Sequence, residues 1–190
     1  MPIAFDLEKL RQQHDCEVYF ETGLYDPREK VSIRDAINST FKKIFSVEIR
    51  KDWVDMANEI FTQEITGGRL QLINDDSNFI SKHLGDADFQ MKTMFFFDAH
   101  VDNANIHTHI NQCPLLNELT ALKGLSRKDH VILVDDLRIL KTPFPWNERS
   151  YGNLNFIDKI KELILEINPK YVFSSLDGHI KDDVLIAYIE

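Results

Sequence analysis

Two stretches of this chain end alike. Phe95-Phe96-Phe97-Asp98-Ala99-His100 and Val131-Ile132-Leu133-Val134-Asp135-Asp136 each run from strand-forming apolar residues into carboxylates. In an open α/β sheet, ligands bind in the crevice beyond the carboxyl ends of the strands. Acids at two such ends would face one site, where they could hold a cation or take a proton. Asp also favours turns and helix N-caps, so any one of these acids could be a local structural residue. The repeated pattern is what points to a shared site. His100 is a candidate general base, because an imidazole near pKa 6.5 suits proton removal at neutral pH. Orienting an acid or filling a turn is an equal reading of it.

Those residues need elements to hold them, and the hydrophobic periodicity supplies an alternating series. Helices are expected over Leu7–Gln13, Ser32–Phe41, Asp52–Gln63 (with Asp52 as cap), Phe79–Leu84, Pro114–Leu125 and Phe156–Ile167. Strands are expected over Glu17–Phe20, Ile44–Val47, Leu70–Ile73, Met94–Phe97 and Val131–Val134. The ending differs: Tyr171–Ser174 and Val184–Tyr188 read as two strands joined through Asp177-Gly178, a hairpin signal with no helix between. Strand–helix alternation followed by a hairpin implies an α/β fold, a mostly parallel sheet with one antiparallel strand near an edge.

Composition narrows the classes of function. The 190 residues fit one domain, 1–190, with no linker, repeat or low-complexity stretch. A net charge of −9 argues against a nucleic-acid phosphate track, which needs Lys and Arg in excess on one face. No apolar run approaches the ~20 residues that span a bilayer, and the charged Phe5-Asp6-Leu7-Glu8-Lys9 segment is unlike a signal peptide. Cys16 and Cys113 are too few and too far apart for a disulfide framework, which makes a reducing, cytoplasmic setting the expectation. His107-Thr108-His109 with Cys113 nearby has zinc-ligand chemistry, although a long polar loop over Val101–Gln112 reads better as a substrate-side lid. Phe144, Trp146 and Tyr151 could form a second substrate wall, or cap the core.

From about Cys16 onward the chain resembles the class I S-adenosylmethionine (SAM)-dependent methyltransferases, and within them a bacterial small-molecule and glycan-associated branch. The resemblance rests on ordered fragments: Phe20-Glu21-Thr22-Gly23-Leu24-Tyr25, Phe45-Ser46-Val47-Glu48, Asp76-Ser77, Phe97-Asp98-Ala99-His100, Pro114-Leu115-Leu116-Asn117-Glu118-Leu119 and Val131 to Asp136. It implies a Rossmann-like methyltransferase fold, a seven-stranded mostly parallel sheet with a C-terminal antiparallel hairpin. It implies SAM as cofactor, held by Glu21, Thr22, Gly23, Tyr25, Glu48, Asp76, Ser77 and Asp98. In that assignment Glu21 accepts from the methionine ammonium, and Gly23 lets the backbone approach the cofactor. Glu48 accepts from the ribose hydroxyls, and Asp76 with Ser77 lies by the adenine. The family loop carries further glycines where this chain has Tyr25 and Pro27, which puts the loop's shape in question.

Some metal-dependent sugar O-methyltransferases are similar in placing one Asp after the fourth strand and an Asp pair after the fifth. By that likeness Asp98, Asp135 and Asp136 would share a divalent cation such as Mg²⁺. The catalytic assignment is then His100 with Asp98, moving a methyl group to an oxygen of a small polar acceptor, a sugar or glycan precursor at family level. The expected partner is that small molecule, with no nucleic acid or membrane; a homodimer is compatible with the sequence. Two other readings stay open. An acid after the second strand also suits the ribose of a nicotinamide cofactor, against which stand the missing G-x-G-x-x-G and the final hairpin. A non-catalytic cofactor-binding domain could keep the same fold.

Overall fold

The computed structural model describes residues 3–85, 87–100, 113–141 and 155–190. The expected lid over Val101–Gln112, with His107 and His109, and the aromatic wall of Phe144, Trp146 and Tyr151 lie outside the described residues. Seven strands form one sheet in the order β3-β2-β1-β4-β5-β7-β6. They are β1 (Val18–Thr22), β2 (Lys43–Glu48), β3 (Leu70–Asn74), β4 (Thr93–Phe97), β5 (Val131–Val134), β6 (Val172–Leu176) and β7 (Val184–Tyr188). The first five are parallel; β7 runs antiparallel to both β5 and β6, so the reversed strand sits one place in from the edge, as expected.

Central parallel strands are covered on both faces, which is why β4 from Met94 onward and all of β5 are apolar. Their period of two sorts the side chains into two cores. Phe20, Phe45, Phe95, Phe97 and Val134 face one side, where α5 (Leu115–Leu122) and α7 (Phe156–Ile167) pack. Phe95 anchors an aromatic stack there, with ring centroids 5.4 Å from Phe20 and 6.0 Å from Phe97. Tyr19, Ile44, Met94, Phe96 and Leu133 face the other side, covered by α1 (Leu7–Gln13), α2 (Ser32–Asn38) and α3 (Lys51–Ile60).

Several expected boundaries move for local reasons. β1 runs on through Glu21 and Thr22, so these two residues belong to the strand and not to the loop after it. The helix expected over Asp52–Gln63 breaks at Phe61, whose backbone leaves the helical region as its ring becomes buried, and α4 (Thr62–Thr66) follows. Asp52 lies inside the first turn of α3 and pairs with Arg50 instead of capping the helix. The Phe79–Leu84 helix is a 3-10 segment, Ser77–Lys82, capped by Asp76. A short helix, α6 (Leu137–Leu140), follows β5 where no element was expected. The terminal hairpin turns through residues 177–183, a longer connection than the Asp-Gly signal suggests.

Candidate functional site

The strand tips line up because their ladders continue past the last paired residues. Gly23 N–H donates to Val47 O at 2.9 Å, Asp98 N–H to Thr22 O at 3.1 Å, and Asp135 N–H to Phe97 O at 3.1 Å. Glu48, Gly23, Asp98 and Asp135 therefore stand in one row along the carboxyl edge of four adjacent strands. Four residues far apart in sequence thus share one edge of the sheet.

Gly23 is needed by that row itself. Its φ is +87°, and a Cβ there would lie 2.4 Å from the carbonyl oxygen of Asp98 and 2.7 Å from its carbon. The nearest obstacle to a side chain is thus the tip of β4, in addition to any ligand. Tyr25 takes the left-handed conformation (φ 63°) that glycine favours, and its ring packs 5.0 Å from Trp53. Its N–H reaches Glu48 Oε2 at 3.2 Å, so the loop supplies a backbone donor despite its missing glycines. Arg50 N–H holds the other oxygen, Glu48 Oε1, at 2.8 Å. Glu48 is buried, and burial raises its carboxyl above the usual range against the pull of those two N–H groups.

Glu21, expected to meet an ammonium, is fully buried among hydroxyls. Tyr19 and Ser32 donate to Oε2 at 3.1 and 2.7 Å, and Ser46 donates to Oε1 at 2.7 Å. Burial pushes this carboxyl up to about 7, with the Ser32 and Ser46 hydroxyls opposing. It ties β1, β2 and α2 together beneath Gly23. Asp76 accepts from Asn78 N–H at 2.9 Å as the N-cap of the 3-10 segment, so the local reading of this acid holds at least in part.

At the other end of the row, charge is crowded. Asp98, His100 and Asp136 offer ligand atoms within 4.8 Å of one another, and so do Asp135, Asp136 and Asp183. Asp135 and Asp136 are buried, and both carboxyls are raised, first by burial. Asp98 adds to the rise at each. Asp136 has a left-handed backbone, φ 62°, with its N–H on Asp135 Oδ1 at 2.7 Å. Arg138 Nη1 stands 2.6 Å from Asp136 Oδ1 as an ion pair. Arg138 also pairs with Asp183, which reaches in from the hairpin before β7.

His100 departs from the expected pKa near 6.5. Burial acts to lower it, yet a hydrogen bond with Cys113 and the Asp136 and Asp98 carboxylates outweigh burial and raise it to about 10. Its Nε2 lies 3.2 Å from the Asp135 carbonyl, a contact that requires a proton on that nitrogen. The acids around the imidazole favour its protonated form. Cys113, considered above as a zinc ligand, has His100 as its neighbour here.

The sequence reading gave no role to Glu118, Arg138 or Asp183. Glu118 left a signal: Leu115, Glu118, Leu119 and Leu122 share one helical face, so a charge sits on an apolar stripe. Asp183 left none, since only the hairpin's fold carries it to β5.

No family model and no curated protein matches the chain by sequence. Solved structures do match. An O-methyltransferase from Bacillus cereus in complex with SAH superposes with a TM-score of 0.61 at 15% identity, over 97% of this chain and 79% of that one. The fold is that of the class I methyltransferases. The O-methyltransferase TomG from Streptomyces achromogenes, in complex with SAM, gives 0.59 at 15% identity over 96% and 77% of the two chains. The SAH-bound methyltransferase PaMTH1 from Podospora anserina gives 0.57 at 16% identity over 96% and 75%. At such identities the methyltransferase fold is what the chains share.

Proposed function

We propose that this protein is a SAM-dependent methyltransferase acting on an oxygen of a small polar acceptor, at family level a sugar or glycan precursor. The observation that carries this reading is the row Glu48–Gly23–Asp98–Asp135 on a methyltransferase fold. Glu48, with Oε2 on the Tyr25 N–H of the Gly23 loop and Oε1 on the Arg50 N–H, retains lone pairs for ribose hydroxyls. The sulfonium is an activated donor, so the chief task of the chain is alignment of the acceptor oxygen with the methyl group.

The donor set at β4 and β5 suits a hard divalent cation. It is rich in carboxylate oxygen, with Asp136 common to two groups of close ligand atoms. The expected trio of Asp98, Asp135 and Asp136 divides between two groups that share Asp136, one with Asp98 and His100 and one with Asp135 and Asp183; Mg²⁺ held at Asp136 with either set would lower the pKa of a substrate hydroxyl. His100, with Asp98, is the candidate base for the acceptor's proton: the acids beside it favour its protonated form, and a divalent cation bound to those acids would offset that pull.

Isothermal titration with SAM, S-adenosylhomocysteine and NAD tests the cofactor. We expect both sulfur nucleosides to bind and NAD to fail. Transfer of labelled methyl from SAM to a panel of sugars with vicinal hydroxyls, with and without Mg²⁺, tests the chemistry. Binding of NAD alone would replace this function with the nicotinamide reading.

A further inference from the structure

The loop that carries Gly23 and Tyr25 lacks further glycines, and Pro27 has no N–H to donate. Its carbonyls are therefore the groups left to fix its shape. Arg34 meets them. This residue lies in the first turn of α2, where a long side chain points back toward the start of the helix. Its Nη2 donates to Pro27 O at 2.6 Å and its Nε to Glu29 O at 3.2 Å. Those carbonyls belong to a turn in which Glu29 N–H donates to Asp26 O at 3.1 Å. Tyr25, just before that turn, gives its N–H to Glu48.

No carboxylate among the described residues pairs with the guanidinium. Its Cζ lies instead over the Phe61 ring, 5.2 Å from the centroid. Phe61 is the buried residue at which α3 gives way to α4. A cavity of about 550 Å³ adjoins Arg34 between α2 and this break, and Glu59 and Glu64 line it without pairing with the arginine. An arginine serving only to balance surface charge would meet one of these acids. This one is turned to the loop, where its planar fork spans two carbonyls.

We infer that Arg34 is a positioning residue for the cofactor: a clamp on the Pro27 and Glu29 carbonyls, braced on Phe61, that keeps the Tyr25 N–H on Glu48. This rests on the reading of Gly23 and Glu48 as part of a SAM site. Without the clamp the loop samples other shapes, and affinity falls with the fraction of time the binding shape is populated.

The test is titration of S-adenosylhomocysteine into the wild type, Arg34→Ala and Arg34→Lys, with hydrogen exchange of the segment 24–31. Arg34→Ala should weaken binding about tenfold and speed exchange in that segment while the β4 and β5 tips exchange as before. The substitution removes the atoms of an ethylguanidinium ion beside the cavity. Millimolar ethylguanidinium should therefore restore affinity to within about threefold of the wild type, whereas NaCl at equal ionic strength should not. Lysine's point charge does not span both carbonyls, so Arg34→Lys should bind more than about threefold weaker, and it decides the matter if Arg34→Ala fails to fold. A purely structural Arg34 would lower the melting temperature and leave affinity untouched. Unchanged affinity in a folded variant, or a loss that ethylguanidinium does not reverse, overturns the inference while the methyltransferase reading stands. Failure of the wild type to bind S-adenosylhomocysteine overturns both.

Discussion

The two halves of the strand-tip row manage their acids in different ways. On the β1–β2 side, Glu21 is met by three hydroxyls and Glu48 by two backbone N–H groups, all supplied by the chain. On the β4–β5 side, Asp98, Asp135, Asp136 and Asp183 are balanced mainly by two cationic groups, His100 and Arg138. Neutral donors fix a carboxylate in one geometry at modest cost, whereas buried charges in a cluster respond strongly to any added ion or proton. The first half reads as preassembled and the second as poised for an exogenous charge.

The sharpest way to break this comparison is at the joint between the halves. Gly23→Ala adds a Cβ that overlaps the Asp98 backbone in a left-handed conformation. It should cost about 2–4 kcal/mol of stability, lowering the melting temperature by about 5–15 °C. Calorimetric unfolding and S-adenosylhomocysteine titration would both register it. A variant that melts and binds like the wild type would show the two tips to be uncoupled.

Next in size is a contrast of function. Asp136→Ala should reduce turnover about 100-fold while cofactor affinity stays within about threefold. Glu48→Ala should instead weaken S-adenosylhomocysteine by about 10–100-fold. Steady-state kinetics and titration on the same preparations check the pair. Equal effects from both variants would dissolve the division of labour.

A smaller effect sharpens the charged half alone. Saturating Mg²⁺ should raise the melting temperature of the wild type by about 5 °C through preferential binding to the folded state. Asp98→Ala should lose that response. An identical shift in the two proteins would place Mg²⁺ elsewhere.

The last concerns the preassembled half. Glu21 titrates near 4.5 when unfolded and is raised to about 7 in the fold, so the folded state holds an extra proton between those values. Its contribution to stability is full below about 4.5 and is lost as pH rises through about 7. Glu21→Gln should therefore flatten the fall in melting temperature between pH 5 and pH 8 by a few degrees. Parallel pH profiles in the two proteins would mean that Glu21 does not titrate in this window.

Much of the fold was legible because its signals are local. Phe95–Phe97 and Val131–Val134 are apolar throughout, the mark of strands covered on both faces, and the ending lacks a helix between its last two strands. The element ends were less legible. Phe61 breaks a helix for the sake of burying its ring, and β1 extends through Glu21 because its ladder partners, Ser46 and Phe96, lie on other strands.

Residue order alone determined which acids end strands, that Gly23 follows the first of them, and that the chain alternates strand with helix. Tertiary structure decided the environment of each acid: that Glu21 faces hydroxyls, that His100 lies among carboxylates beside Cys113, that Asp183 joins Asp135 and Asp136, and that Glu118 is buried beside Thr22 and Ser77. The reason is physical. Backbone preference and hydrophobic period act over a few neighbouring residues, whereas burial and charge coupling depend on whatever distant segments the sheet order brings within a few ångströms.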